Sequence, residues 1–338
     1  LNQSNFRGLV HATGGFATPE PAGLLCHRLE SMTESKNHAS QPRAEENGEP
    51  TFESARIECA DGTVLAGQWV LPAGDGPVRK AVALHPATGV DMHLYRKFAV
   101  FLAERGWAGL IYDFRGTGES ATPGDKSNRA IRMSDWIVKD VPAATRALKE
   151  RFPDASHAAV AHSVGAHGML ATQHEEPVEA MVMIASHAGI TRTIRTVAER
   201  AKVWTIFNVV TPVCEKLMGY VPVEALGVGK TIPLGVMLQW RSWAAQKQYF
   251  FDDPEFDFAE RFAKAEGPVL SVVMADDLWA HRGAVNVLTD KLVRADVLKQ
   301  DIEAGEGTAN GPVGHMGFYR SKHRNLWPGV AEWLEAHI

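Results

Sequence analysis

Between residues 80 and 185 the chain alternates short apolar runs with longer segments of helical period. Residues 80–85 (KAVALH), 107–112, 157–162 and 179–185 (EAMVMIA) have the length and apolarity of buried strands. Residues 92–105, 134–152 and 164–175 space their apolar side chains as helices do. Parallel strands need a crossover of a dozen or more residues, usually a helix, and are covered on both faces. The rhythm therefore predicts an α/β chain with a mostly parallel central sheet and helices on both faces. Two alternating segments, 54–60 and 63–71, flank Asp61-Gly62 and predict a hairpin ahead of it.

The rhythm stops after residue 187. Residues 188–267 carry helix-like segments broken by Pro212, Pro222 and Pro233, and an aromatic set that includes Trp204, Trp240 and Trp243. This stretch reads as a helical cap or lid inserted into the core. Strand and helix signals resume at 268–274 (PVLSVVM), 281–292, 296–302 and 322–337. The expected organisation is a core of residues 51–187 and 268–338, a cap of 188–267 and an N-terminal tail of 1–50. Residues 31–50 are polar and charged, too poor in apolar surface to offset ordering entropy, and are expected to stay disordered. The first methionine is Met32, expected to be the natural start; intact mass of the protein from its host would check this.

Composition narrows the partners. Lys and Arg number 35 against 40 Asp and Glu, so the net charge is −5 and offers no basic footprint for nucleic acid. No run approaches the length of a membrane span. Cys26, Cys59 and Cys214 are far apart and form no disulfide or CxxC framework, which suggests a reducing, cytoplasmic setting. Oligomeric state is not legible.

The sharpest local feature is Ala161-His162-Ser163-Val164-Gly165, between a predicted strand and a predicted helix. A nucleophile elbow, G-x-S-x-G, puts a serine on a tight turn with its Oγ exposed, and its flanking residues are small because backbone passes close by. Ala161 replaces the first glycine. Read alone, the serine could equally cap the following helix. A serine nucleophile needs a base, and the base needs a third group to orient it. His315 lies in Pro-Val-Gly-His-Met-Gly, before the last helix, and Asp276-Asp277 follow the strand 268–274. Both places are strand ends where open α/β sheets build sites. The place that the acid takes in hydrolases with such an elbow favours Asp277 over Asp276. An oxyanion needs N–H donors, expected from Val164 and from the loop His85-Pro86-Ala87-Thr88-Gly89. Pro86 has no N–H, which leaves Ala87, with Thr88 as the alternative.

Four motifs carry a family resemblance. They are His85-Pro86-Ala87-Thr88-Gly89, Asp113-Phe114-Arg115-Gly116-Thr117-Gly118-Glu119-Ser120, the elbow, and Gly314-His315-Met316-Gly317-Phe318-Tyr319-Arg320. Over residues 52–338 the chain resembles the α/β-hydrolases, and within them a serine esterase/serine aminopeptidase-like family with these motifs. The resemblance implies the hydrolase fold and a Ser163–Asp277–His315 triad, and says little about substrate. Ala161 departs from the family pattern, which bears on elbow geometry and not on the role of Ser163.

The expected activity is a serine hydrolase that cleaves a small-molecule acyl ester through an acyl-enzyme, with no metal or organic cofactor. An acyltransferase, thioesterase or peptidase would use the same groups, and a non-catalytic binding module would use none of them. Trp204, Trp240 and Trp243 are candidates for the pocket wall, against a plainer role in cap packing. Asp113 and Arg115 read as a structural ion pair or loop anchors. Gly227-Val228-Gly229-Lys230-Thr231 fails the phosphate-loop pattern, because position 224 is Glu. His162, His167 and His174 do not have metalloprotease spacing.

Overall fold

The computed structural model describes residues 48–225, 227, 229–303 and 310–338. Most of the expected tail, residues 1–47, and the questions about Met32 lie outside them. Eight strands form one sheet in the order β1-β2-β4-β3-β5-β6-β7-β8. β1 (Thr51–Glu58) and β2 (Val64–Leu71) make the expected hairpin around Asp61-Gly62, and β2 also runs antiparallel to β4 (Trp107–Tyr112). β3 (Lys80–His85), β4, β5 (Ser156–His162), β6 (Ala180–Ile184), β7 (Glu266–Met274) and β8 (Arg294–Ile302) are mutually parallel. β4 and β6 are buried along their whole length, and β3 and β5 at all but their first residue. That is why these strands read as continuous apolar runs and not as alternating ones. This is the α/β-hydrolase fold.

The crossovers follow the predicted helices, with shorter ends. α1 (Arg96–Ala103) joins β3 to β4, and α4 (Val164–Thr172) joins β5 to β6. The segment read as one helix over 134–152 is α2 (Met133–Asp135), a π-helical turn (Trp136–Asp140) and α3 (Val141–Arg151). In the turn Asp140 is fully buried against Arg115, whose Nε lies 2.6 Å from its Oδ1. α9 (Arg282–Thr289) links β7 to β8, and α10 (Trp327–Glu335) closes the chain. Between β6 and β7 lie α5 (Val197–Thr205), α6 (Thr211–Met218), α7 (Leu234–Ala245) and α8 (Phe258–Lys264). No helix among the described residues is long and apolar enough to cross a membrane.

Asp113 and Arg115 do not pair with each other. The Asp113 carboxylate accepts N–H bonds from Met92 and Glu119, each at 2.8 Å, and so ties two loops together. Arg115 instead bridges Asp140 and Asp61. Removing one member of a buried pair leaves the other charge without compensation, at a cost of about 3–5 kcal/mol. Arg115→Ala is therefore expected to lower the unfolding free energy by about that amount in denaturant titration. A loss under about 1 kcal/mol would show that the pair is dispensable.

The chain builds β4 on one side of β3 and then moves to β5 on the other. Such a reversal opens a crevice beyond the C-terminal ends of the two strands. The loop after β3 begins at Pro86 and the turn after β5 holds Ser163, so both candidate segments meet there.

Candidate active site

Ser163 sits between β5 and α4 with φ 51° and ψ −117°, a conformation that L-residues adopt only where the surroundings enforce it. Its N–H donates to Ile184 O (3.1 Å), and its carbonyl accepts from Ser186 Oγ (2.7 Å). A Cβ on Gly165 would lie 2.5 Å from His85 O, so α4 can start against the β3 loop only with glycine there. Ala161 is fully buried within β5, in register with His85 and Met183, and is accommodated there without a glycine. The Ser163 side chain caps nothing in α4.

His315 Nε2 stands 3.3 Å from Ser163 Oγ, and His315 Nδ1 stands 2.8 Å from Asp277 Oδ2. The other Asp277 oxygen accepts from the N–H groups of Trp279 (2.8 Å) and Ala280 (3.0 Å). Burial by itself raises the Asp277 carboxyl pKa; the His315 ring and these hydrogen bonds outweigh it and hold the group well below the usual carboxylate range. Asp277 is thus an anion against the imidazole. Asp276 does something else: its oxygens accept the N–H groups of Val313 and Gly314, each at 2.8 Å. One carboxylate orients the ring and its neighbour holds the turn that carries it.

A second network was not visible in the sequence. His162 Nε2 faces His315 O at 2.9 Å, and a carbonyl only accepts, so Nε2 carries the proton. Burial, with the nearby His315, pushes His162 down to about 3, so the ring is neutral and Nδ1 is a bare acceptor. Tyr95 Oη lies 3.0 Å from that nitrogen and accepts from Ala87 N–H at 2.8 Å. The hydroxyl must then donate to His162. Tyr95 and His162 thereby join the β3 loop, the elbow and the His315 loop. Nothing in the sequence marks Tyr95, which reads as one more apolar-face residue near the start of a helix.

The same network changes the expected oxyanion donors. Ala87 N–H is already given to Tyr95 Oη, so it is not the free donor that the sequence suggested. Thr88 N–H has no partner among the described residues, and Val164, as the first residue of α4, has an N–H beyond the reach of intrahelical bonding.

Ser163 and His315 open into a pocket of about 190 Å³, also lined by Ala87, Thr88, His187 and Met316. Its outer wall comes from Val203, Ile206, Phe207, Met237 and Trp240 of the 188–267 segment, together with Trp279. Of the three tryptophans singled out in the sequence, only Trp240 lines it. Trp204 is 55% exposed on the outside of α5. Trp243 is fully buried, packed against Tyr249, Phe250 and Phe258, with its Nε1 donating to Asp253. α7 puts residues 240 and 243 on one side, but the pocket ends between them. Trp279, missed in the sequence, enters through the loop that begins at Asp277.

A family model described as serine aminopeptidase, S33 matches residues 76–239, a span that contains the elbow but neither Asp277 nor His315. Among solved structures, one titled as DcsB in complex with its substrate analogue is 14% identical, covers 85% of this chain and 99% of that one, and has a TM-score of 0.58. An esterase of Pyrococcus furiosus is 14% identical over 85% of this chain and 91% of its own, with a TM-score of 0.55. A dienelactone hydrolase from Anabaena variabilis is 13% identical over 86% of this chain and all of its own, with a TM-score of 0.51. No curated protein matches by sequence.

Proposed function

We propose that this chain, which has the α/β-hydrolase fold, is a hydrolase that cleaves a carboxylic ester by way of an acyl-enzyme on Ser163. The observation that carries the reading is the run of contacts from Ser163 Oγ through the His315 ring to Asp277 in one pocket. Ser163 Oγ attacks the carbonyl carbon while His315 Nε2 takes its proton. The carbonyl π pair moves onto oxygen, where the N–H groups of Val164 and Thr88 receive it. The bond to the leaving alcohol then breaks, and His315 returns the proton to that oxygen. Water, deprotonated by His315, repeats the attack on the acyl-enzyme and releases the acid. Asp277 keeps the ring in the required tautomer and balances the imidazolium.

The 188–267 segment acts in this reading as a cap over the acyl group. Lys230 N–H donates to Gly89 O (2.7 Å) and Gly235 N–H to Asn128 O (3.0 Å), so the segment docks on loops of the sheet's C-terminal edge. The cytoplasm is the proposed compartment, on the sparse cysteines alone.

Pocket size and lining favour a small apolar acyl group. An apolar cavity of about 150 Å³ takes one benzene ring, and this pocket is only slightly larger. An aminopeptidase would need an anion for the substrate's amine. The carboxylate at hand, Glu199, already accepts from Trp279 Nε1 (3.2 Å) and faces Lys202 Nζ (3.6 Å), so it offers no net charge. A panel of p-nitrophenyl esters tests this. kcat/KM should peak for butanoate- to benzoate-sized acyl groups and fall sharply for palmitate. Inert esters beside a cleaved aminoacyl anilide would replace the ester reading with a peptidase.

A further inference from the structure

The proposed mechanism leaves one buried polar group in the pocket without a task. His187 follows β6 and is pinned on both sides: its own carbonyl accepts from His167 Nε2 (3.0 Å), and Ser186 Oγ before it holds the Ser163 carbonyl (2.7 Å). The ring is 6% exposed and lines the pocket with Ser163 and His315. It stands edge-on to the His315 ring, with centroids 5.5 Å apart, and 6.1 Å from the Trp279 ring. Its position therefore borders the reacting centre and not the distal wall.

The protonation of this ring is fixed by its neighbours. His187 Nδ1 lies 2.9 Å from Ala188 O, and a carbonyl cannot donate, so Nδ1 carries a proton. Burial, with the nearby His315, pushes His187 down to about 4, so the ring holds only that one proton near neutral pH. Nε2 is left as a lone pair with no partner among the described residues. That nitrogen is not sealed off: it stands open at the pocket that the ring lines, where a donor on a bound substrate can reach it. His162 and His167, the neighbouring buried histidines, both spend Nε2 on a backbone carbonyl. His187 alone of the three keeps an acceptor nitrogen at the pocket.

We infer that His187 Nε2 is a specificity element that accepts a hydrogen bond from the substrate, so that the pocket selects acyl groups bearing a hydroxyl or N–H next to the scissile carbonyl. The placement beside His315 sets the position of that donor. An acceptor near the reacting centre meets the carbon adjacent to the carbonyl and not the far end of the acyl chain. The surrounding wall, from Val203, Ile206 and Trp240, then takes the apolar remainder. The preferred substrate class is a 2-hydroxy or 2-amido acid ester with a small apolar side chain. This inference rests on the ester-hydrolase reading above.

The test compares phenyl mandelate, as each enantiomer, with phenyl phenylacetate, which differs by one hydroxyl. One hydrogen bond to a buried acceptor corresponds to about tenfold in kcat/KM. The parent should favour one mandelate enantiomer by at least that factor. His187→Phe keeps a flat ring and removes the acceptor, so the ratio should collapse toward one. His187→Gln, whose Oε1 can accept, should recover part of it. Labelling of Ser163 in both variants by a fluorophosphonate shows that they are folded and that the serine is reactive. A parent that hydrolyses both esters equally sinks this inference alone. So does a His187→Phe variant that keeps the parent's ratio, or one that loses both activities equally, since that would mean the ring orients water or supports the fold. A parent that turns over neither ester, with no labelling at Ser163, sinks the hydrolase reading as well.

Discussion

Ser163→Ala should lower kcat/KM toward a phenyl ester by about four to six orders of magnitude, with no change in the unfolding transition. The two halves of this expectation have separate grounds. The hydroxyl is the attacking atom, and His187, the other imidazole in the pocket, is too poor a base to take over. Yet the hydroxyl does little for the fold. It caps no N–H of α4, and its contact is with His315 at 3.3 Å. The strained backbone at residue 163 is held by Ile184 O and Ser186 Oγ, and both bonds run to main-chain atoms that alanine retains. A variant that unfolds several degrees early would show that the serine is structural. A variant that keeps more than about a hundredth of the parent rate would show that another group attacks.

Asp277→Asn and Asp276→Asn should separate by about three orders of magnitude or more, though the two residues are adjacent. Asparagine at 277 offers an amide N–H where the His315 ring needs an acceptor, so the ring turns to the wrong tautomer. A loss of about 10⁴ in kcat is expected. Asparagine at 276 still accepts one of the two N–H bonds from Val313 and Gly314. Its cost falls on the turn, about 1–3 kcal/mol of stability, and on the rate by no more than about tenfold. Steady-state kinetics and urea unfolding on both variants read this directly. Equal loss of rate in the two would mean that both carboxylates act only by holding the loop.

Much of the architecture was legible because parallel strands buried on both faces must be apolar throughout. β3, β4, β5 and β6 announce themselves for that reason, and the Asp61-Gly62 turn marks the hairpin. Helix ends were less legible. Residues 134–152 read as one helix, yet Pro142, which has no N–H to give to the turn before it, stands at the start of α3 just after the π-helical turn. At the site, the elbow and the His315 loop stood out because close backbone approach demands small residues at fixed places, as the 2.5 Å clearance at Gly165 shows. Side-chain partnerships across the sheet were not legible. The bond from Ala87 N–H to the hydroxyl of Tyr95, a residue from a different element, is one such partnership. Trp240 and Trp243 have the same composition and neighbourhood, and only packing decides that one faces the pocket and the other the aromatic core. The bare nitrogen of His187 follows from a bond to its own neighbour's carbonyl, which no spacing rule predicts.

The central claim is an activated serine at position 163, and its most direct test is labelling with a fluorophosphonate, read by intact mass and peptide mapping. The account predicts one adduct on the parent, located at Ser163, absent in Ser163→Ala and slowed strongly in Asp277→Asn but little in Asp276→Asn. Folded parent protein that takes up no probe, or an adduct that survives Ser163→Ala, would contradict it.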